Sequence, residues 1–373
     1  MRYCPYCLEK FTRDDLGFKC EKSGKIFARS TYKMWKKQGI LPVCPGGFEE
    51  ASCRGCKGLA LDKRVCLKCE SDLMPVMLQN DNVQIAIIGT QSSGKTVFIN
   101  MLLKVMRDLF SKTGYGKAFL PVQASEGVSV NLMVSNMERG NFPAGTQANN
   151  VKPRLYQCGS GNKKDVLTFF DGAGETFTNE QVQATLQRYV NVSDGIILLF
   201  DPTSIPEIKL RLSKRGELLP QLARVTLEDS LRGASLTYDR IKEWRHGEVF
   251  NLISHFIPIK ISIPCAVVFS KFDLMFPMFS DGSRVRQPNK NLDPCSKFDD
   301  DDSRIVSAEI RGWLQSNGCV SFLNEIESDF KTVRYFGISS LGGSPGTATS
   351  PKTYSPHRIA DPLLWLMNVN GVL

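Results

Sequence analysis

The sequence predicts a three-layer α/β fold on a mixed, mostly parallel sheet, preceded by a small cysteine-rich module. Three observations lead there. A β-branched run, Val83–Ile88, ends at a glycine and is followed after a short polar turn by an apolar helical stretch from Val97. Further short apolar runs at Gly195–Phe200, Ile263–Phe269 and Val333–Ile338 have the length and composition of strands buried on both faces. Eight of the twelve cysteines fall in the first 69 residues, mostly as C-x-x-C pairs.

At 373 residues the chain can hold one large domain or two. The composition, 42% hydrophobic and 23% charged, is that of a soluble globular protein. No apolar run approaches the roughly 18–20 residues of a membrane span. Met1-Arg2-Tyr3-Cys4 opens no apolar leader, and Asn370–Leu373 offers no cysteine for prenylation, so a cytoplasmic location is expected. The composition shift divides the chain into residues 1–75 and residues 81–373, with Met74-Pro75-Val76 beginning the link.

In the N-terminal part, Cys53, Cys56, Cys66 and Cys69 form C-x₂-C-x₉-C-x₂-C, the spacing of a zinc ribbon. Cys4 and Cys7 form a third knuckle, which Cys20 and Cys44 could complete. Two all-thiolate Zn²⁺ sites are therefore expected, and the spacing leaves contiguous and interleaved pairings open. A closed Cys₄ site has no open coordination position, so its role is structural: a module this small needs the metal to fold. Residues 1–80 carry 15 basic and 9 acidic residues, most of the net +9. Eight thiolates and two zinc ions would lower that local excess to about +2, which weakens a nucleic-acid reading. The Lys25–Lys37 stretch, with Tyr32 and Trp35, reads as a solvated face with one anchoring aromatic.

The turn after the first strand of the larger part is Gly89-Thr90-Gln91-Ser92-Ser93-Gly94-Lys95-Thr96, or G-x-x-x-x-G-K-[ST]. Strand, glycine turn and helix start aim backbone N–H groups from Ser92, Ser93, Gly94 and Val97, with the positive helix end, at one anion. Gly89 and Gly94 allow the tight turn, Lys95 reaches the outer phosphates, and the Thr96 hydroxyl holds Mg²⁺. This is the phosphate loop of a P-loop nucleotide triphosphatase.

The rest follows in order. A helix to about Ser111 is followed by one from Ser125 to about Arg139, with Val128, Leu132 and Met137 inward. In the loop after it, Thr146 is chosen by position over Thr113 as the switch threonine that joins Mg²⁺ in the triphosphate state. Pro153–Cys158 and Val166–Phe170 are separated by only a short turn, so they pair antiparallel and place an antiparallel edge strand on the sheet. The second of them ends in Asp171-Gly172-Ala173-Gly174-Glu175. There Asp171 can hold Mg²⁺ through water and the Gly174 N–H can meet the terminal phosphate. Glu175 either activates the attacking water or makes a structural or partner contact. Residues 203–257 read as a helical insertion. Ile263–Phe269 ends in Ser270-Lys271-Phe272-Asp273. The Asp273 carboxylate can accept from guanine N1–H and the exocyclic amine together, and the Lys271 stem packs along the base. Asp281–Asp302 reads as a solvated loop and not as a metal site. Helices follow over about Asp302–Gln315 and Phe322–Phe330, and Ser339-Ser340-Leu341 follows the last strand as a base-contacting segment. Gly343–Pro356 reads as a loop and Asp361–Met367 as a final helix.

Gly89–Thr96, Asp171–Gly174, Ser270–Asp273 and Ser339–Leu341 in this order resemble the Ras-like GTPases of the translation-factor-related class, over about residues 83–370. The resemblance implies a GTP/GDP-binding hydrolase acting as a molecular switch. Ser270 stands where the family has Asn or Thr, and Glu175 where it has Gln. More narrowly, the cysteine head, the Asp171–Glu175 segment and the Asp361–Leu366 helix resemble bacterial zinc-ribbon-headed "double-GTPase" proteins. That implies a role in conflict or defence and a protein partner, a second GTPase or an effector. The alternatives are a non-hydrolysing nucleotide-gated scaffold and a nucleic-acid-binding zinc protein with a regulatory nucleotide domain. Asp273 opposes an ATPase.

Overall fold

The computed structural model describes residues 3–12, 15–19, 26–28, 63–79, 82–89, 93–112, 117–143, 153–160, 163–171, 189–204, 208, 261–289, 298–343, 350 and 352–373. Two sheets organise them. The smaller runs β2-β1-β3-β4, from β1 (Leu16–Lys19), β2 (Ile26–Ala28), β3 (Lys63–Cys66) and β4 (Asp72–Leu73). Its described pairings are antiparallel, and Leu16 stands opposite Cys66. The expected link at Met74–Val76 folds instead as a short helix, α1 (Pro75–Gln79), which buries Met77 completely.

The larger sheet takes β5 (Asn82–Gly89), β6 (Ala118–Pro121), β7 (Pro153–Ser160), β8 (Lys163–Asp171), β9 (Gly195–Phe200), β10 (Cys265–Phe269) and β11 (Val333–Gly337). Its order is β11-β10-β9-β5-β8-β7-β6. The pairs from β11 through β5 to β8 are parallel, and β7 is antiparallel to both neighbours. The antiparallel strand is as expected, but it is not the edge. β6 lies outside it, and sequence reading missed this strand. Four residues with one fully buried side chain, Phe119, give too little alternation to read.

The sheet is covered on both faces, and β5 shows why its residues alternate as they do. Ile85 and Ile87 belong to one core, Ala86 and Ile88 to the other. The first core takes apolar side chains from α2 (Lys95–Ser111), α3 (Ala124–Glu138) and α6 (Asp361–Val369). The second takes them from α4 (Asp300–Ser316) and α5 (Val320–Asp329). Each fully buried Leu, Ile or Phe contributes about 1.5–3 kcal/mol. With both faces and both edges of β5 used, only the strand ends remain for chemistry.

Two expectations are corrected. On α3 the buried positions are Gly127, Val130, Val134 and Met137, while Val128 and Leu132 are 67% and 61% exposed. This helix is apolar on both sides, so periodicity does not choose its inner face. Contacts do: Gly127 packs closely on Pro121 and Arg107, and the Arg107 guanidinium donates to the Gly127 carbonyl at 3.3 Å. The helix also starts after Gln123 and not at Ser125. The second correction concerns Asp281–Asp302. Residues Arg284–Arg286 form a 3₁₀ turn, Asp299 caps α4 by accepting from the Asp302 N–H at 2.9 Å, and Asp302 is almost fully buried.

Asp302 is buried because it belongs to an ion network. Arg358, 2% exposed, donates from Nη1 to Asp302 and Asp361 at 2.9 Å each. It donates also to the carbonyls of Arg284 and Gln287, at 3.0 and 3.2 Å. Arg284 Nε meets Asp302 at 2.5 Å, and Asn289 donates to Asp361. Burial alone would raise the Asp302 carboxyl, but Arg358 and Arg284 hold it below the usual range. Burial pushes Asp361 up to about 7 against the pull of Arg358.

Among the described residues, one face of the small sheet packs against the larger one. Cys4, Phe11, Leu16, Cys66, Leu73 and Met77 pack with Leu155 of β7 and Val166 of β8. Leu8 packs on Tyr189, and Asn82 donates to the Tyr3 carbonyl at 3.3 Å. No helix among the described residues is long and apolar enough to cross a membrane. The Lys25–Lys37 face and the 203–257 insertion lie almost entirely outside the described residues.

Replacing Arg358 with Met should strand two buried carboxylates and cost about 3–5 kcal/mol of stability in chemical denaturation. A loss within ~0.5 kcal/mol would show that the network is not stabilising.

Candidate functional site

The carboxyl ends of β5, β9, β10 and β11 form one rim, and the sequence motifs of the larger part lie along it. Gly89 ends β5 opposite Leu199 of β9. A Cβ on Gly89 would come within 2.6 Å of Ser93 Oγ and 3.2 Å of the Leu199 carbonyl, so a side chain here would displace Ser93 and crowd β9. Gly94 caps α2 with φ +78°, a left-handed conformation that favours glycine, and no side chain caps the helix. Lys95 is the first helical residue and is 7% exposed; Thr96 and Val97 follow, half-buried. Ser93 Oγ is buried without a hydrogen-bond partner. An uncapped helix start beside an unsatisfied buried hydroxyl and a buried lysine can receive an anion. Asn100 fastens this turn: it donates to the Thr96 carbonyl at 2.8 Å and accepts from Arg154 of β7 at 2.9 Å.

On the far side of the rim, Ser270 donates its N–H to the Phe200 carbonyl at 2.8 Å and its hydroxyl to the same oxygen at 3.2 Å. Lys271 is left-handed at φ +52°, and its ammonium lies 2.5 Å from Asp201 at the end of β9. Asp201 also accepts from the Thr203 N–H at 2.9 Å and hydroxyl at 2.6 Å. Asp273 sits in the first turn of the 3₁₀ helix Phe272–Met278 and remains half-exposed.

The loop after β11 joins this group. Phe272 N–H donates to the Ile338 carbonyl at 2.9 Å. Ser339 exchanges two backbone hydrogen bonds with His357, and its hydroxyl accepts from the Gly342 N–H at 2.9 Å. Ser340 and Leu341 follow, half-buried. A Cβ on Gly342 would sit 2.0 Å from the Ser355 carbonyl, and its φ is +74°. The His357 ring bonds the Val285 carbonyl at 2.7 Å and meets Phe276 edge-on. Burial pulls its pKa below the usual value.

Gly89, Ser93, Gly94, Lys95, Thr96, Val97, Lys271, Asp273, Ser339, Ser340 and Leu341 are therefore all on one rim. Asp171 ends β8 beside them, opposite Ile87, and its side chain lies outside the description. Ser92, Thr146, Gly174 and Glu175 also lie outside the described residues. Sequence reading missed Asp201, Thr203 and His357. Asp201-Pro202-Thr203 does carry a signal, an aspartate able to accept from the backbone two residues on.

A second group gathers the cysteines. Cys4, Cys7, Cys66 and Cys69 bring their sulfurs within 4.8 Å of one another. Among the described residues the grouping is thus an interleaved one: Cys66 and Cys69 close with Cys4 and Cys7. Cys20, Cys44, Cys53 and Cys56 lie outside the described residues. The β1–β3 pairing brings the distant knuckles together. Cys4–Cys69 and Cys7–Cys66 are 3.7 and 3.8 Å apart, and a tetrahedron with metal–sulfur bonds of about 2.3 Å has edges of about 3.8 Å. The two knuckles are one turn used twice. Leu8 and Glu70, left-handed at φ +64° and +58°, donate to the carbonyls of Cys4 and Cys66 at 2.8 Å each. Burial pushes the Cys4 thiol up and the Cys7 thiol up to about 11. Burial acts the same way on Cys69, but hydrogen bonds from Ser71, Cys7 and Cys4 together outweigh it and lower the thiol. A soft divalent ion would have to displace these protons.

No family model matches the chain. A protein of Mycolicibacterium smegmatis named "Putative ESX-1 scaffolding and assembly protein SaeC" is 22% identical over 332 residues, covering 83% of this chain and 80% of that protein. Among solved structures, the Arl6 BBS3 small GTPase of Trypanosoma brucei with bound GppNp aligns with 78% of this chain and 98% of its own, at 13% identity and a TM-score of 0.31.

Two substitutions test the turns. Glu70→Gly should stabilise the protein by up to about 1 kcal/mol, because glycine carries no left-handed penalty. Gly342→Ala should cost more than the roughly 1–2 kcal/mol of that penalty, because its methyl would also strike the Ser355 carbonyl. Thermal melts of both variants decide.

Proposed function

We propose that the chain is a GTP-binding, GTP-hydrolysing molecular switch whose cysteine module is held by zinc. The observation that carries this reading is the rim itself. A left-handed Gly94 opens an uncapped helix with a buried lysine in its first turn, two strands from a loop that carries both Lys271 and the carboxylate of Asp273. The first part fits a polyphosphate, through backbone donors, Ser93 and Lys95. The second fits a guanine edge, which offers two adjacent donors to one carboxylate where adenine does not. Thr96 and Asp171 are the residues that would hold Mg²⁺, with Thr146 joining in the triphosphate state. Mg²⁺ held there would supply Lewis-acid stabilisation of the charge that develops on transfer. Gly174 would steady the terminal phosphate, and Glu175 would orient or deprotonate water.

The tetrahedral sulfur spacing supports zinc at Cys4, Cys7, Cys66 and Cys69, in a structural role. A second ion on Cys20, Cys44, Cys53 and Cys56 completes the proposal. A protein partner, whether a second GTPase or an effector, would read the switch.

A second reading is a nucleotide-gated scaffold that binds without hydrolysing. Similarity to a protein named for scaffolding and assembly favours it. Single-turnover hydrolysis of loaded GTP separates the two, since a scaffold returns GTP intact.

Denaturing the purified protein should release GDP or GTP. Release of adenine nucleotide would sink the guanine reading. Lys95→Ala should abolish nucleotide retention, and Asp273→Ala should lose preference for guanine over adenine while keeping the melting temperature. Metal analysis should find two zinc ions per chain. Cys66→Ser should remove one of them, and the remaining zinc should then dissociate as pH falls, because protons compete for its thiolates.

A further inference from the structure

We infer that Asp201 positions the base-reading lysine, so that the end of β9 takes part in nucleotide binding. The inference rests on the nucleotide reading above and extends it to a residue that no motif contains.

Asp201 is 9% exposed and immediately follows β9, the strand between β5 and β10. Its two carboxylate oxygens have separate tasks. Oδ1 accepts from the Thr203 N–H and hydroxyl, which closes the turn through Pro202 and fixes the side chain. Oδ2 receives the Lys271 ammonium at 2.5 Å. Lys271 itself has a left-handed backbone, which a lysine rarely adopts. The lysine is thus anchored at both ends: at its backbone between Ser270 and Phe272, and at its charge on β9. Between those anchors the aliphatic stem runs from the end of β10 towards the end of β9, in the direction of the phosphate turn. That is the course a stem must take to lie along a base whose phosphates rest on Gly94 and Lys95.

An exposed lysine pays rotamer entropy each time it is ordered on a ligand. Here the ordering precedes binding, because a rigid carboxylate holds the charge. Asp201 therefore acts through Lys271 and on the base, not on the terminal phosphate. Its removal should weaken GDP and GTP alike.

The test uses the full-length protein and a ribose-labelled fluorescent GDP and GTP. Asp201→Asn keeps an acceptor for the Thr203 turn and loses the charge partner. Its nucleotide dissociation should speed up roughly tenfold, the loss expected for one charge-assisted hydrogen bond, and by the same factor for both nucleotides. Thr203→Val should give a smaller increase. Lys271→Met should accelerate release in the parent and add little in the Asp201→Asn background, a non-additivity that a merely structural role would not produce. Thermal midpoints check that each variant is folded. A parent that holds guanine nucleotide and an Asp201→Asn protein that releases it at the parent's rate would overturn the inference alone. A parent that holds no guanine nucleotide would overturn the functional reading and this inference with it.

Discussion

Everything in the larger part of the molecule depends on β5 being consumed on four sides. It is bonded to β8 and β9 along its two edges, and its eight residues are buried on both faces. A strand in that position has no surface left except its ends. The chain leaves its carboxyl end through Gly89, where a side chain would displace Ser93 and crowd β9. The turn, the helix start and the buried lysine then follow within six residues. The same constraint acts on β9 and β10, whose carboxyl ends carry Asp201 and Lys271. Parallel pairing is thus what assembles the rim: strands that run the same way end at the same place.

The cysteine module is built on the opposite principle. Its described apolar side chains Phe11, Leu16, Leu73 and Met77 share a cluster with Leu155 and Val166 of the larger sheet. Its knuckles are far apart in the chain, and the β1–β3 ladder brings them together. Two left-handed residues that are not glycine, Leu8 and Glu70, are held where a metal-bound turn would need them. Leu8 also rests on Tyr189, close before β9, so the module and the sheet share contacts at more than one point.

Behind the loops that follow β10 and β11 lies the buried pair of Asp302 and Asp361 around Arg358. Arg358 follows His357, whose backbone is laddered to Ser339. The loop after β11 is therefore tied through one residue to three elements: the 3₁₀ turn at Arg284, the start of α4 and the start of α6. Such a network is costly to desolvate and rigid once satisfied. It adds to the apolar anchoring of Ile338 and Ile359 in fixing the position of this loop.

Local sequence alone determined the strands β5, β7, β8, β9, β10 and β11, the first turn of α2, the antiparallel β7–β8 pair and the order of the motifs. These features depend on neighbours within a few residues, on β-branching, glycine and turn length, and such signals survive in one dimension. Tertiary contact decided the rest. β6 was too short to read, and α3 carries apolar residues on both sides, so only Gly127 against Pro121 and Arg107 shows which side is inward. The aspartates at the start of α4 read as solvated until Arg284 and Arg358 accounted for the buried one. Interleaved and contiguous cysteine pairings share the same spacings, and only the register of β1 on β3 separates them. Asp201 belongs here too. Its turn was written in Asp201-Pro202-Thr203, but its partner lies seventy residues on, and proximity between chain segments that distant is a property of the sheet order.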